Sequence, residues 1–482
     1  MEMEEKPHST TEHEHVAERY GKEDGVGFRR SEEDSMTMRD IWKHHKAIIW
    51  WGFDAQINGA MIAVASFRRD FGYELHGEMI LPADWQSAFN LHWPILGGFL
   101  CSWLADRVGR KRSLLCGVIV CTGGAFGEIF ANTRAAFLVS KLILGIRLGF
   151  YLTLGPLMCS EIAPVVMRGL STAGVNLGIC IGQLLSNSVV KGFGERTDRW
   201  AYAGPFAIQL FFTAVLLAGL PFAPESPWYL DFDTTNLLGK IEASVEESAQ
   251  QAKTTFLDCF RGTNLLRTGI SLGGFVCQHL VGIIFVLGYS TYFFELAGLE
   301  TTHSFDLGVG VTACGVLGNF LSWFVLNSFG RRRTFLSGMS ALTILLLLIG
   351  IMDVVPADAA KWIQSSCTVV YAFVYFMTVG AISFVLLGEV STILLRAKTA
   401  ALATAVQAVF GIIMNVVIPY LINPDEADLK GKLGFIFGGC AAVATLFSWV
   451  YIPELKGRTF DEIDGMFARR IPPRRMGAYV VP

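Results

Sequence analysis

The stretch from Asp106 to Arg112 reads DRVGRKR, and the stretch from Asn327 to Arg333 reads NSFGRRR. Each copy contains a glycine followed by three basic residues, and each lies directly between two long apolar segments. Two further pairs recur at a similar distance along the chain, namely Glu161 and Arg168 with Glu389 and Arg396, and Pro224-Glu225 with Pro453-Glu454. A chain that repeats itself once within apolar sequence predicts a membrane protein built from two matched halves.

The composition also predicts a membrane protein. Of the 482 residues, 52% are hydrophobic and 17% are charged, and the mean hydropathy is +0.45. A soluble protein carries roughly 25% charged residues, and a membrane-spanning helix needs about 20 mostly apolar residues. Twelve such segments occur, at Ala47–Phe67, Trp85–Leu104, Ser113–Phe130, Ala135–Met158, Gly169–Val190, Tyr202–Phe222, Thr268–Leu296, Leu307–Leu326, Thr334–Val354, Trp362–Gly388, Ala397–Ile422 and Leu433–Ile452. We therefore predict an all-α membrane protein with twelve transmembrane helices in two pseudo-symmetric six-helix bundles, because eleven or thirteen spans would break the repeat.

Basic residues predict the orientation of the chain. Lys and Arg near the ends of spanning helices mark the cytoplasmic side. Both copies of the repeated signature lie on the side that also receives Arg396, Lys398 and the arginines of the C-terminal tail. With twelve spans we expect both termini in the cytoplasm, and we expect the plasma membrane as the location. The predicted segments are a disordered N-terminal tail at 1–40, a first bundle at 41–222, a cytoplasmic linker with an amphipathic helix at 223–267, a second bundle at 268–453 and a cytoplasmic tail at 454–482.

Three ionisable residues lie inside predicted spans, where charge is costly and therefore indicates function. They are Asp54 in the first span and Lys141 and Arg147 in the fourth. A carboxylate that loses a nearby cation gains affinity for a proton, so Asp54 and one of these cations can couple proton entry to a change of shape. A static ion pair between two helices is the alternative. Lys141 and Arg147 point about 120° apart around a helix, and their depth along the span favours Arg147 as the partner.

The fifth span combines a packing face with a polar face. Gly174, Gly178 and Gly182 recur every four residues, which suits close contact between helices. At about 100° per residue, Asn176 and Gln183 point to nearly the opposite side. Amides both donate and accept hydrogen bonds and so suit neutral hydroxylated ligands, although they also serve to bond neighbouring helices.

The C-terminal half supplies further candidates for ligand binding. Amide or imidazole groups occur at the start of the seventh span and within the eleventh, and aromatic rings that suit stacking on a sugar ring occur at Tyr289, Tyr292 and Phe384. The candidate substrate-binding residues are Asn176, Gln183, Gln278, His279, Tyr289, Phe384, Gln407 and Asn415. An imidazole titrates near neutral pH, but we assign His279 no role in proton coupling.

The repeated signature and three further stretches together resemble the sugar porter family of the major facilitator superfamily. Two other stretches, YSTYFFELAGL from Tyr289 and LRAKTAALA from Leu395, are similar to fungal alpha-glucoside and hexose permeases. The three stretches are SEIAPVVMRG at Ser160–Gly169, PESPWYL at Pro224–Leu230 and PELKGRTFDEID at Pro453–Asp464. The likeness covers nearly the whole chain beyond the N-terminal tail. It implies transport by alternating access, in which two halves rock around a site near the middle of the membrane.

The resemblance also implies roles for individual residues. Asp54 corresponds to the acidic first-span residue of proton-coupled members. Sugar-contacting amides of the family correspond to Asn176, Gln183, Gln278 and Gln407. A cytoplasmic charge network that closes the inner gate corresponds to Asp106, Arg107, Arg110, Glu161, Arg168, Arg331, Glu389 and Arg396.

Several positions depart from the family pattern. Register places the fourth-span arginine of the family at Lys141, against the depth estimate, so Lys141 and Arg147 both remain candidate partners of Asp54. In the seventh span, this chain has His279 where the family has its second glutamine, and Ile284 where the family has a later asparagine. In the tenth span, Phe384 replaces the tryptophan of the family. We therefore expect an ordinary gate around an altered pocket.

The sequence as a whole predicts a secondary active transporter that moves a hexose or an alpha-glucoside as a proton symporter. Facilitated diffusion is the alternative mode. A second hypothesis keeps the fold and changes the cargo to a non-sugar solute such as quinate or a secondary metabolite, with export included; His279 and Ile284 motivate it. A sugar sensor is a third interpretation, which the short C-terminal tail disfavours. We expect a monomer in the lipid bilayer with sugar and protons as partners, and no nucleic acid, cofactor, metal or enzymatic activity, because the chain shows no nucleotide loop, metal cluster or nucleophile–base arrangement.

Overall fold

The computed structural model describes residues 52–54, 56–75, 77–90, 94–146, 150, 165–219, 255–392, 395–458 and 460–479. The predicted N-terminal tail at 1–40 and almost all of the predicted amphipathic linker helix lie outside the described residues, as do Arg147 and Glu161. The division of the chain into the predicted segments therefore stays a prediction.

Where the structure describes it, the N-terminal half consists of helices, their connecting loops and one short hairpin. Its elements are α1 (residues 52–54 and 56–62), α2 (Ala65–Phe71), the strands β1 (Tyr73–Leu75) and β2 (Glu78–Ile80), then α3 (Ala83–Asn90), α4 (Pro94–Val108), α5 (Arg110–Phe130), α6 (residues 134–146), α7 (Val165–Gly194) and α8 (Trp200–Gly219). The two strands pair antiparallel, with Tyr73 opposite Ile80 and Leu75 opposite Glu78. This hairpin was not predicted from the sequence, because strands of three residues are too short to show an alternating pattern.

The C-terminal half is helical throughout its described residues. Its elements are α9 (Thr263–Leu280), a π-helical segment (Ile284–Gly288), α10 (Ser290–Leu296), α11 (Thr301–Phe329), α12 (Arg331–Val354), α13 (Asp358–Met377), α14 (Val379–Val390), α15 (Arg396–Ile422), α16 (Leu433–Tyr451) and α17 (Phe460–Ala468), with short 3-10 turns at Phe256–Phe260, Lys430–Lys432 and Pro473–Ala478. Within the described residues, six segments are long and apolar enough to cross a membrane, namely Lys111–Phe130, Thr301–Leu326, Arg331–Val354, Asp358–Val390, Lys398–Ile422 and Lys430–Tyr451.

The seventh and tenth predicted spans are interrupted near the middle of the membrane. In the seventh span, Gly282 has a φ of 75° and the π-helical segment follows it. In the tenth span, Thr378 leaves the helical region with φ −121° and ψ −86°, between α13 and α14. Irregular backbone at this depth is tolerated where protein buries it or where it lines a cavity. Val281 and Thr378 are buried, so neighbouring protein covers the backbone at both breaks.

The repeated signature forms the same turn in both halves. Gly109 joins α4 to α5 with a φ of 95°, and Gly330 joins α11 to α12 with a φ of 86°. Residues other than glycine are strained at such positive φ values. The predicted match between the two halves is therefore visible as one backbone geometry used twice. We call the end of the bundle that carries these turns the basic end, and the end that carries β1 and β2 the hairpin end.

An aromatic cluster fixes the hairpin end of the N-terminal half. The ring of Phe67 on α2 lies 5.9 Å from Trp85 on α3, 5.6 Å from Phe137 on α6 and 5.5 Å from Tyr202 on α8, measured between centroids. Phe71 stacks on Trp85 at 5.7 Å. Edge-to-face and stacked rings add specific geometry to the burial of large apolar surfaces. The cluster thus holds four helices in place beside the contact with the other half.

Candidate transport site

Helix α1 touches the interrupted seventh span directly. A Cβ atom placed on Gly59 would lie 1.6 Å from the carbonyl oxygen of Gly288, so the two backbones can approach this closely only because residue 59 is a glycine. One turn earlier, the side-chain amide of Gln56 donates to the carbonyl oxygen of Leu287 at 2.8 Å. The first helix of one half and the broken helix of the other half therefore meet at the interface between the halves.

Helix α7 provides a second polar contact between the halves. The amide of Asn187 donates to the carbonyl oxygen of Gly308 on α11 at 2.8 Å, and it accepts from Gln56 at 3.4 Å. Helices α7 and α11 pack along one another, as α3 and α15 do on the other side of the interface. Asn187 and Gln56 join three helices at the interface and were not among the predicted site residues.

Two of the three predicted coupling residues, Asp54 and Lys141, are buried, and Arg147 lies outside the described residues. Asp54 is 4% exposed. The ammonium group of Lys141 lies 2.5 Å from a carboxylate oxygen of Glu128 on α5, and it donates to the side-chain oxygen of Asn58 on α1 at 2.6 Å. Asn58 is four residues after Asp54 and therefore lies on the same face of the first helix, about 6 Å away between Cβ atoms. The structure thus brings Lys141 to within one turn of Asp54 while placing it on another carboxylate.

A network of hydrogen bonds closes the hairpin end. Arg68 on α2 donates to Glu295 on α10 at 2.8 Å, and its guanidinium carbon lies 6.0 Å from the centre of the Tyr292 ring. The hydroxyl of Tyr292 donates to Asn423 at 3.3 Å, and Gln86 on α3 donates to the same oxygen at 3.1 Å. We call this set, Arg68, Gln86, Tyr292, Glu295 and Asn423, the hairpin-end latch. Each of its hydrogen bonds joins residues far apart along the chain, and two of them join the two halves.

The hairpin itself adds one more contact between the halves. The hydroxyl of Tyr73 on β1 donates to Asp425, in the loop after α15, at 2.6 Å. Because the Asp425 carboxylate accepts a hydrogen bond from the protonated phenol, the pKa of Tyr73 rises to about 12. The hydroxyl therefore stays protonated, and the contact stays intact, throughout the physiological pH range.

The predicted ligand amides differ in how they are engaged. Gln278 on α9 donates to the carbonyl oxygen of Gly380 at 3.2 Å, and Asn415 donates to Gly411 of its own helix at 2.9 Å. Among the described residues, the buried Nδ2 atom of Asn176 has no hydrogen-bond partner. Gln183 and Gln407 are half-buried. Asn176 is therefore the predicted amide with a buried donor left for a ligand.

The predicted ring residues also separate into two groups. Tyr289 is buried at the start of α10, whereas Phe384 on α14 is 47% exposed and stands edge-on to Phe275 at 5.1 Å. His279 contacts the carbonyl oxygen of Phe275 through Nδ1 at 3.0 Å. A carbonyl only accepts, so this nitrogen donates, which leaves Nε2 as the imidazole nitrogen available to another group. Phe384 and His279 thus share one neighbour, Phe275, beside the break in the tenth span.

Two of the predicted gate residues form an ion pair at the basic end. The guanidinium of Arg331 donates to both carboxylate oxygens of Glu389, at 2.8 and 3.2 Å. Glu454 accepts the backbone N–H groups of Arg331 and Arg332 at 2.8 and 3.1 Å, at the start of α12, where a negative charge is favourable. Arg107 is exposed, with its guanidinium carbon 4.4 Å from the centre of the Trp103 ring. For Asp106, Arg110, Arg168 and Arg396 only the helical backbone is described, and Glu161 lies outside the described residues.

Sequence reasoning missed three carboxylates that the structure places at important contacts. Glu128 lies inside the third predicted span and Glu295 ends the seventh, so both carried the signal of charge within apolar sequence. Glu454 belongs to the repeated Pro-Glu pair and was noted only as a repeat. Attention to every acidic residue within or beside an apolar segment would have found all three.

Two matched helical halves, interrupted helices near mid-membrane and polar side chains at the interface define a membrane transport protein with the major facilitator fold. The family model described as "Sugar (and other) transporter" matches residues 46–467. The chain therefore belongs to this family, and it is a transporter and not an enzyme. The predicted fold class of twelve transmembrane helices is confirmed.

Similar proteins include fungal permeases and a bacterial symporter. The chain is 27% identical to the general alpha-glucoside permease of Saccharomyces cerevisiae, over 98% of this chain and 84% of the relative. It is 29% identical to the MFS transporter fmqE of Aspergillus fumigatus, over 88% of this chain and 84% of the relative. Among solved structures, the partially occluded inward-open xylose transporter XylE from E. coli matches with a TM-score of 0.69 at 22% identity, over 87% of this chain and 98% of that chain. The predicted resemblance to fungal alpha-glucoside permeases is thus confirmed.

Proposed function

We propose that the protein carries a sugar, either a hexose or an alpha-glucoside, across the membrane by proton-coupled symport with alternating access. The observation that supports this most directly is the buried carboxyl group of Asp54, one helical turn from Asn58, whose side-chain oxygen accepts a hydrogen bond from Lys141. Several of its yeast relatives are alpha-glucoside permeases, which supports the sugar. One structure of similar fold is that of a D-xylose-proton symporter, which supports the coupling.

The conformation fits one state of this cycle. The hairpin-end latch and the contact of Tyr73 with Asp425 close the hairpin end. If the basic end faces the cytoplasm, as its arginines favour, the closed hairpin end faces outward, so the structure represents a state that is closed to the outside. Both termini then lie in the cytoplasm, and the plasma membrane is the location that suits sugar uptake.

The proposed cycle uses charge to link the proton to the change of state. With Asp54 protonated, the carboxylate no longer competes for a cation, and the first helix can move relative to the fourth. When Asp54 releases its proton to the cytoplasm, its negative charge again attracts a cation and resets the N-terminal half. Coupling therefore requires a carboxyl group at residue 54.

The proposed sugar site lies between the amide face of α7 and the interrupted tenth span. The Nδ2 donor of Asn176, which has no partner within the described part of the chain, and the half-buried amides of Gln183 and Gln407 suit hydroxyl groups. Phe384 offers an exposed ring at the position where it can lie against a sugar ring. Because Gln278 is engaged with Gly380, we expect fewer polar contacts from the C-terminal half than its sequence implied.

A transport panel with the purified protein in liposomes tests this function. With an inward proton gradient, we expect uptake of maltose, another alpha-glucoside or a hexose to exceed uptake without a gradient by about tenfold per pH unit at equilibrium. Quinate serves as the non-sugar test solute, and L-glucose serves as the control for leakage. Uptake of quinate without uptake of any sugar would contradict the proposal and would favour the non-sugar transporter.

A further inference from the structure

The charge partner that the structure gives to Lys141 is Glu128, a residue outside every role assigned above. Glu128 is fully buried on α5, and Lys141 is 4% exposed on α6. Their charged atoms lie 2.5 Å apart. Isolated charges are very unfavourable in such surroundings, so each of the two depends on the presence of the other.

The same ammonium group also reaches the helix that carries Asp54. It donates to the side-chain oxygen of Asn58 at 2.6 Å, one turn along α1 from Asp54. The rings of Phe206 and Phe137 lie 4.6 and 5.4 Å from it. Lys141 thus contacts a carboxylate on the third span and an amide oxygen that lies one helical turn from Asp54 on the first span.

We propose that Glu128 competes with Asp54 for Lys141 and thereby sets the proton concentration at which the transporter loads. In the hairpin-closed state Lys141 rests on Glu128. When Asp54 is ionised in another state, Lys141 exchanges toward it through Asn58. Glu128 is then a positioning residue, because it acts on the coupling carboxylate through the position of Lys141. The inference rests on the proton coupling proposed above.

The neighbourhood of the pair is consistent with an exchange between two carboxylates. Among the described residues, the charged groups of the cluster are Asp54 on α1, Glu128 on α5 and Lys141 on α6. Helix α8 contributes the uncharged Phe206 and the amide of Gln209, which faces Glu128. A neutral amide and aromatic rings can contact the ammonium group in either position without adding a charge that competes for it.

Glu128→Gln tests the competition through the pH dependence of uptake. Without its resting partner, Lys141 settles on ionised Asp54 and stabilises it, so uptake needs more acid. We expect the half-maximal pH of uptake to fall by at least about one unit, a tenfold higher proton concentration. Glu128→Asp keeps the charge and should leave the half-maximal pH near that of the wild type.

A charge swap separates this role from a purely structural one. Glu128→Lys combined with Lys141→Glu restores a buried ion pair, so we expect the melting temperature to recover relative to Glu128→Gln. In the swapped variant the positive charge lies on α5 and a negative charge faces Asn58. Residue 141 then offers no cation to Asp54, so the half-maximal pH of uptake should still differ from that of the wild type. A wild-type half-maximal pH in either Glu128→Gln or the swapped variant would overturn the inference. If uptake by the wild type itself does not depend on pH, proton coupling fails; a pH-dependent wild type with an unshifted Glu128→Gln refutes the role of Glu128 alone.

Discussion

Asp54→Asn is expected to abolish the uphill accumulation of sugar. An inward gradient of one pH unit stores about 1.4 kcal/mol per proton, which supports about tenfold accumulation at one proton per sugar. An asparagine has nearly the same shape as the aspartate but exchanges no proton. The ratio of internal to external sugar should therefore fall from about ten to one, measured with labelled sugar in liposomes at equilibrium. Exchange of labelled for unlabelled sugar should persist, because it needs movement of the loaded carrier and not net release of a proton.

Asp70→Asn is the matched control for this experiment. Asp70 lies on α2, just beyond the hairpin end of the same predicted span, where it accepts a hydrogen bond from Tyr202 at 2.9 Å. The same chemical change at this site should leave accumulation intact. If Asp54→Asn accumulated sugar as the wild type does, Asp54 would not be the coupling carboxylate.

Arg68→Ala is expected to release the hairpin end. The guanidinium pairs with Glu295, whose side chain is only 10% exposed, and the pair joins α2 of one half to α10 of the other. Removing one partner of a buried ion pair costs about 2–5 kcal/mol, much of it for the charge left behind. Because the pair exists only while the hairpin end is closed, a cost of about 3 kcal/mol would shift the equilibrium toward the hairpin-open state by about 150-fold.

Cysteine labelling measures this shift. Thr291 on α10 is 4% exposed in the closed state. The cysteine in Thr291→Cys should react with a membrane-impermeant maleimide at least about tenfold faster when Arg68→Ala is also present than when it is absent. Labelling of the same two proteins without Thr291→Cys is subtracted as the background. Arg196→Gln is the control, because Arg196 is exposed and pairs with Asp198 of its own loop. Equal labelling rates in Thr291→Cys with and without Arg68→Ala would show that the latch does not hold the hairpin end shut.

The repeat along the chain predicted the fold well because it has a direct physical cause. The glycine in each signature is required by the positive φ at Gly109 and Gly330, and the basic residues begin the next helix in both halves. The length of the apolar segments predicted the spanning helices, because a helix must be about 20 residues long to cross the hydrocarbon core. It could not predict the breaks at Gly282 and Thr378, because both lie within continuous apolar runs. Broken helices depend on neighbours that bury the irregular backbone, and no local pattern records those neighbours.

The candidate site was predicted in part. Charge within apolar sequence drew attention to Asp54 and Lys141, and their role in proton coupling stays a prediction. Their separation in sequence could not show that Lys141 rests on Glu128, since this contact depends on how α5 and α6 pack. The contact between Arg68 and Glu295 was missed for the same reason: the charge of Glu295 at the end of an apolar segment was visible in the sequence, but its partner depends on how the two halves are placed together.

Simultaneous recording of sugar and proton movement tests proton symport most directly. Liposomes containing the protein are placed in a weakly buffered medium without a proton gradient, and a sugar that passes the transport panel is added outside. We predict that downhill sugar entry draws protons inward, so that the medium becomes more alkaline in proportion to the sugar taken up, and that Asp54→Asn removes this signal. Sugar entry at the wild-type rate without any change in the pH of the medium would contradict proton symport and would identify the protein as a facilitator.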